Sequence, residues 1–272
     1  SSWYDYASSF TNGFGIVKLQ GRYAYVNSNG KRITNWYDNV FNYTPEGFGI
    51  VMRKDVYAYV NTNGRIISDW YDYVYTMKDG YGVVMEDERY AYVNENGKRI
   101  SDWYDNAYAS TGGLGIVVQD GLHAYLNRQG ERISDWYENV YLFKEGIGSV
   151  KQDGKYAYID STGTIISDWY ERAYNFSDGF GEVQRDGKNA LVNHKGKRIT
   201  DWYDVIYDFY NGVAVVKNNK QFSFINRQGR EITGWYEKAY DFSTGKGIVV
   251  QDGKSAYINQ EGEIISKWYD EA

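Results

Sequence analysis

Residues 90–106 read YAYVNENGKRISDWYDN, and close copies return as DGLHAYLNRQGERISDWYEN (120–139), DGKYAYIDSTGTIISDWYER (153–172) and DGKSAYINQEGEIISKWYDE (252–271). Trp stands at 3, 36, 70, 103, 136, 169, 202, 235 and 268 and nowhere else, at spacings of 33 or, once, 34 residues. Such a period is the signature of a repeat architecture, in which each unit buries its apolar face only by stacking on its neighbours. The sequence therefore predicts a single tandem-repeat domain over 1–272. Its repeats start at 3, 36, 70, 103, 136, 169, 202 and 235, with a partial repeat at 268–272.

Within each repeat the turn chemistry points to strands. A Gly recurs about ten residues after Trp (Gly13, Gly47, Gly80, Gly113, Gly146, Gly179, Gly212, Gly245), and a second follows two residues later, replaced only by Ala214. This pair opens an apolar run such as GIVVQ, which leads into turns such as Asp153-Gly154, Asp186-Gly187 and Asp252-Gly253. Asp-Gly between two runs of β-formers is a strong hairpin signal. The strand after it, YAYVN, alternates large and small residues at period two and ends in Asn or Asp. Gly follows three residues on, as in Asn94 to Gly97, Asn127 to Gly130 and Asp160 to Gly163. An Asx side chain capping its own turn, with Gly at positive φ, accounts for that spacing without a ligand.

A third strand, of the KRIS type, runs into the Trp-Tyr-acid triplet. At the triplet itself, Asp or Ser before Trp and acids after it predict a short turn or a single helical turn that links one meander to the next. The apolar residues four and seven after Trp would share one face of that turn. Consecutive three-stranded meanders predict an all-β fold, with a propeller-like ring narrowly ahead of an open solenoid or superhelix. The ninth triplet, Trp268-Tyr269-Asp270, weighs toward the open form, since a closed ring of eight needs only eight junctions.

Composition excludes several functions. The net charge of −6, with Lys and Arg dispersed, offers no basic stripe for phosphates, so nucleic acid is not an expected partner. No apolar run reaches the roughly 18 residues of a membrane span. Zero Cys removes thiolate and disulfide chemistry. No charged-then-apolar leader precedes Trp3, and the sequence opens at Ser1 without Met. Both ends fall inside the repeat, as expected of a trimmed fragment.

No catalytic, metal or cofactor site is expected. The acids after Trp-Tyr lie one per repeat, without the paired acid and base of a glycosidase or the clustered oxygens of a calcium loop. His123 and His194 occupy different repeat positions and make no metal pair. The Gly-x-Gly lacks the third Gly and following helix of a dinucleotide site.

Two positions separate by their variability among the repeats. Trp36, Trp70, Trp103, Trp136, Trp169, Trp202 and Trp235 are invariant and are expected to pack between repeats, where one indole buries about 150–250 Å². Twenty residues after Trp the side chain drifts: Tyr23, Tyr57, Tyr90, His123, Tyr156, Asn189, Phe222, Ser255. These are expected on an exposed strand face, and Tyr23, Tyr57, Tyr90, His123, Tyr156 and Phe222 are the candidate partner-binding residues.

The segments Asp153-Gly154-Lys155-Tyr156-Ala157-Tyr158-Ile159-Asp160, Gly163 and Phe176-Ser177-Asp178-Gly179 match in order and spacing the bacterial WG repeat, which the whole chain resembles. The name-giving Trp-Gly is Tyr156-Ala157 here, and the family's Pro before Tyr-Asp is replaced by Asp168-Trp169. The resemblance implies a β-rich interaction module of bacteria. The half-repeat DGKYAYIN with its following Gly and Trp also resembles choline-binding and clostridial cell-wall repeats, whose aromatic cages hold choline or carbohydrate. The central aromatic of those cages is Ala in seven repeats here and Ser223 in the other. The expectation is a non-enzymatic scaffold recognising a protein through a tyrosine-rich surface, the alternative being a glycan or cell-wall lectin, with a bacterial surface or secreted setting favoured.

Overall fold

The computed structural model describes residues 3–111 and 114–270, so Gly113 lies outside the described residues. The chain divides into two compact bodies, Ser1–Val140 and Tyr141–Ala272. Among the described residues there is no helix. Eight antiparallel sheets follow one another in chain order, seven of three strands and a last one of four.

The third repeat shows the pattern. Its strands are Tyr73–Val74, Tyr81–Glu86 and Arg89–Asn94. The second and third pair with Val84 opposite Ala91 and Met85 opposite Tyr90. Between them Asp87 and Glu88 both have positive φ, the conformation of a type I′ hairpin whose twist matches that of the strands. Asp120-Gly121, Asp186-Gly187 and Asp252-Gly253 turn in the same way. The Asx turns also form: Asn94 Oδ1 accepts the N–H groups of Asn96 and Lys98 at 3.0 and 3.1 Å.

The helical turn expected at the triplet does not form. Tyr104 is extended, and it exchanges backbone hydrogen bonds with Tyr90 at 2.8 Å in both directions. Both residues that resemble helix caps are committed to hairpins instead. Ser101 Oγ accepts from the Tyr92 N–H at 2.9 Å and donates to the Asp102 carbonyl at 2.8 Å. The Asp105 carboxylate accepts from the Asp120 N–H at 2.7 Å, in the hairpin turn of its own repeat.

The triplet therefore opens a strand, and Ala107 is buried by strand alternation rather than by a helical face. The KRIS segment is correspondingly thinner than a strand. It touches the sheet at single bridges such as Val93–Arg99 before the chain crosses to pair again at Tyr104.

Each sheet is thus completed by the Tyr of the following triplet: Tyr37 on Tyr23, Tyr71 on Tyr57, Tyr170 on Tyr156 and Tyr203 on Asn189. The ninth triplet has the same task. Tyr269–Asp270 forms the fourth strand of the last sheet, opposite Ser255 and Lys254.

Candidate functional site

The candidate residues Tyr23, Tyr57, Tyr90, His123, Tyr156 and Phe222 all lie on third strands and are half-buried. Their backbone N–H and C=O groups hold the following triplet, and the next residue along each strand is a fully buried Ala or Ser. They occupy a flank rather than the open face expected of them. His123 Nδ1 is buried without a hydrogen-bond partner.

The Trp side chains at 36, 70, 103, 136, 169, 202 and 235 are also half-buried. Within each body, the ring centroid of an earlier triplet's Tyr lies 6.1–6.3 Å away in several pairs, among them Tyr71–Trp103 at 6.3 Å and Tyr203–Trp235 at 6.1 Å. The Arg four residues before the Trp covers four of the indoles, with guanidinium carbons 5.2–5.5 Å from the centroids of Trp36, Trp103, Trp136 and Trp202. An indole face already occupied by a cation is poorly placed to stack on a ligand.

The most deeply buried aromatic contact between repeats comes from a different residue, the second Tyr of YAYVN. Tyr25, Tyr59, Tyr92 and Tyr158 are at most 2% exposed. The Tyr59 hydroxyl donates to the Tyr75 carbonyl in the next repeat. That of Tyr92 donates to the Tyr108 carbonyl and accepts from the Ile116 N–H at 3.0 Å. Burial pushes all four phenols far above the ordinary tyrosine range.

These four hydroxyls bond the backbone of an outward-facing aromatic in the next repeat, at Phe41, Tyr75, Tyr108 and Tyr174. Five residues after Trp stand Phe41, Tyr75, Tyr108, Tyr141, Tyr174, Tyr207 and Tyr240, with Ser8 in the first repeat. The preceding residue points inward, as Val40, Val74 and Ala107 do, so strand alternation turns the aromatic ring outward. Exposure runs from 40% at Phe41 to 49% at Tyr240, Tyr141 alone being less exposed. The sequence signal for this row was present, an aromatic at one position in seven of eight repeats, but a helical reading of the triplet hid it.

The aromatic row joins the candidate residues into a surface. Ring centroids follow one another from Phe41 to Tyr57 (6.1 Å), Tyr73 (5.1 Å), Tyr75 (5.0 Å) and Tyr90 (6.3 Å). Tyr141 and Tyr156 are 6.0 Å apart.

Successive members of the row flank grooves. Tyr141 and Tyr174 bound one of ≈ 660 Å³ whose floor and rim include Tyr156, Ser149, Lys151 and Arg172. Tyr75 and Tyr108 bound one of ≈ 260 Å³ with Lys78 and Asn106. Tyr207 and Tyr240 bound one of ≈ 310 Å³ with Phe222, Asp208 and Asp241. Aromatic faces beside hydrogen-bonding side chains, repeated at fixed intervals, can hold an extended ligand by many weak contacts.

A family model described as WG containing repeat matches residues 4–23, 57–90, 125–156, 156–188, 191–221 and 222–254. No curated protein matches the chain. Among solved structures, the chain is similar to Hsv2 of Kluyveromyces lactis at 10% identity and TM-score 0.32, covering 96% of this chain and 97% of that one. Hsv2 of Kluyvelomyces marxianus gives 13% identity and TM-score 0.33, covering 80% of this chain and 90% of that one. The extracellular domain of the hybrid two-component system BT3049 from B. thetaiotaomicron gives 11% and 0.28, covering 99% of this chain and 45% of that one.

Proposed function

The chain belongs to the family of WG containing repeats, and we propose that it is a non-enzymatic binding module whose aromatic row receives a protein partner as an extended segment. The observation that carries this reading is the recurrence of one groove geometry. Outward rings bound a groove at Tyr75–Tyr108, at Tyr141–Tyr174 and at Tyr207–Tyr240. Rigid Tyr rings offer a large amphipathic contact area at low cost in side-chain entropy. Behind Tyr75, Tyr108 and Tyr174 a buried Tyr hydroxyl holds the backbone in place before a ligand arrives.

The repeated carboxylates support the non-enzymatic part of the proposal, because they have structural work. Asp5, Asp38, Asp72, Asp105, Glu171 and Asp204 each accept the N–H of the hairpin turn in their own repeat. At Asp204 the hydrogen bond from Asn219, with Lys188 beside it, holds the carboxyl below its usual range. An acid bound to backbone in this way is a poor proton donor near neutrality.

The test is selection from a displayed random-peptide library. The protein is compared with a variant carrying Tyr75→Ser, Tyr108→Ser, Tyr174→Ser and Tyr207→Ser, whose far-ultraviolet circular dichroism should match the parent. Peptides that bind the parent and lose at least about tenfold in affinity on the variant are expected, a loss of roughly 1.4 kcal/mol or more. Failure to enrich any sequence, with saturable binding on a glycan array that the same variant abolishes, would transfer the surface to a carbohydrate.

A further inference from the structure

The grooves share their rings but differ in charge. Beside Tyr141 and Tyr174 the lining includes Lys151, Arg172 and Glu171, so both signs are present. The cavity between Tyr207 and Tyr240 is lined by Tyr210 and Phe222 and by two carboxylates, Asp208 and Asp241, with no basic residue. The residue after the outward ring is Asn42, Thr76, Ala109, Leu142 or Asn175 in earlier repeats and Asp only at 208 and 241.

The two acids are differently placed. Asp241 accepts the Ser243 N–H at 2.8 Å, and its interactions with Ser243 hold the carboxyl below its ordinary range, so it is charged at neutral pH. Asp208 is exposed and makes no hydrogen bond or ion pair among the described residues. Glu182, in the preceding repeat, is raised by burial and by the nearness of Asp208, which adds negative potential on that side.

Two basic residues stand close by without lining the cavity. Lys217 places its ammonium 5.5 Å from the Phe222 ring centroid, and Lys238 opens the strand Lys238–Tyr240. Lys217 therefore already covers the Phe222 ring, which leaves the Tyr207 and Tyr240 rings and the two acids to meet an incoming group.

We infer that the Tyr207–Tyr240 groove is a subsite for an alkylammonium group, supplied by a lysine side chain of the protein partner. This rests on the protein-binding reading above. Tyr ring faces attract a cation through their quadrupole, and two carboxylates at the rim add Coulomb attraction that a neutral guest would not receive. A lysine offers an apolar stem for the rings and a charged tip for the acids. Two carboxylates at the rim disfavour an anionic guest. A guanidinium also stacks on rings and pairs with carboxylates, so N-acetyl-arginine methylamide is titrated beside the lysine probe and is expected to bind no more tightly.

The probe is blocked lysine, N-acetyl-lysine methylamide, titrated into the full chain at low salt while the Tyr ring resonances are followed by nuclear magnetic resonance. Saturable shifts of the Tyr207 and Tyr240 signals at millimolar concentration are expected. The Tyr141 and Tyr174 signals should stay still, and the Nε-acetylated probe should shift nothing. D208N with D241N should weaken binding by about fivefold or more, in keeping with the loss of two partly screened charges.

Absence of saturable shifts, or an undiminished affinity in the double variant, would overturn the inference. So would shifts of the same two rings by N-acetylglucosamine and not by the lysine probe. If the library selection still yields peptides that depend on the aromatic row, the protein-binding reading stands while the lysine subsite falls. If neither probe nor peptide binds, both fall.

Discussion

A tyrosine in this chain does one of several jobs, and the side of the strand it occupies decides which. In YAYVN the first Tyr stays half-buried on the flank, whereas the second enters the junction with the next repeat and leaves its hydroxyl among backbone groups. Such a phenol cannot ionise without losing a hydrogen bond in which it is the donor. The pH consequence has a definite sign. Tyr25, Tyr59, Tyr92 and Tyr158 are raised when folded, so the folded chain holds protons that the unfolded chain releases above about pH 10. Their contribution is complete below that pH and is lost as pH rises toward the folded values. Each group removes about 1.4 kcal/mol per pH unit, and four together remove roughly 5–6 kcal/mol by one unit above pH 10, comparable to a whole domain's stability. Melting temperature recorded by circular dichroism should therefore be flat from pH 7 to 9 and fall steeply between 10 and 12. Phenolate absorbance should appear together with unfolding; smooth phenolate titration in a chain that stays folded would contradict this.

Elements are matched across the repeat junction by volume. At Gly49, Gly82, Gly115 and Gly181 the Gly that opens the middle strand faces the buried Tyr of the repeat before it, whereas at Gly148 and Gly247 a Cβ would first meet Phe143 or Phe242 of its own repeat. A Cβ at Gly82 would stand 2.4 Å from the Tyr59 hydroxyl oxygen, and one at Gly181 2.5 Å from that of Tyr158. The one repeat in which this Gly is replaced, by Ala214, follows the one repeat whose Tyr is replaced by an aliphatic residue, Leu191, and the two share a core cluster. A smaller neighbour makes room for the extra methyl. Gly82→Ala alone should therefore destabilise by about 1–3 kcal/mol, the usual cost of overpacking. In the Tyr59→Leu background the same change should cost at least about 1 kcal/mol less, a coupling readable from urea denaturation in a double-mutant cycle. Additive costs would mean that the Ala214–Leu191 pairing is coincidental.

The second invariant Gly, in the Asx turn, answers to the neighbour as well as to its own φ. At Gly64, Gly97 and Gly229 a Cβ would come within 2.1–2.2 Å of a carbonyl oxygen in the preceding repeat, at Ile33, Ile67 and Ile199. At Gly30, in the first repeat, nothing lies within 4 Å.

At the scale of each body, contacts among the described residues run within a repeat and to its neighbours, so stability should behave as a sum of repeats and junctions. Residues 70–102 form one full period inside the first body. Their deletion joins Asp69 to Trp103 in register: Tyr104 would complete the sheet that Tyr71 completes, and Trp103 would take the place of Trp70 beside Tyr37. The shortened chain should fold, with a urea m-value lower by roughly one-eighth, as expected for a proportionate loss of buried area. A deletion out of period, such as residues 80–96, keeps the first strand Tyr73–Val74 and removes Tyr81–Glu86 and Arg89–Asn94, the strands that it and the next triplet pair with. It should fail to give a cooperative transition. Equal behaviour of the two deletions would show that the 33-residue period is not the folding unit.

The sequence by itself determined the period, the two kinds of turn and the all-β character. Those depend on local chemistry: Asp-Gly and Asx-x-x-Gly impose positive φ within a few residues, and alternation at period two marks a face without reference to any partner. Only the tertiary structure decided what the Trp-Tyr-acid triplet is. Ser101, Trp103 and Asp105 carry signals that a helix start and a strand crossing share, and the choice went to the strand because their hydrogen-bond partners are Tyr92 and Asp120, 9 and 15 residues away. The same non-local pairing turned Tyr75, Tyr108, Tyr174, Tyr207 and Tyr240 outward and placed them at the grooves, while it drew the variable third-strand residues halfway in. A side chain's face is set by the strand it belongs to, and that strand exists only because a neighbouring one supplies the other half of its hydrogen bonds.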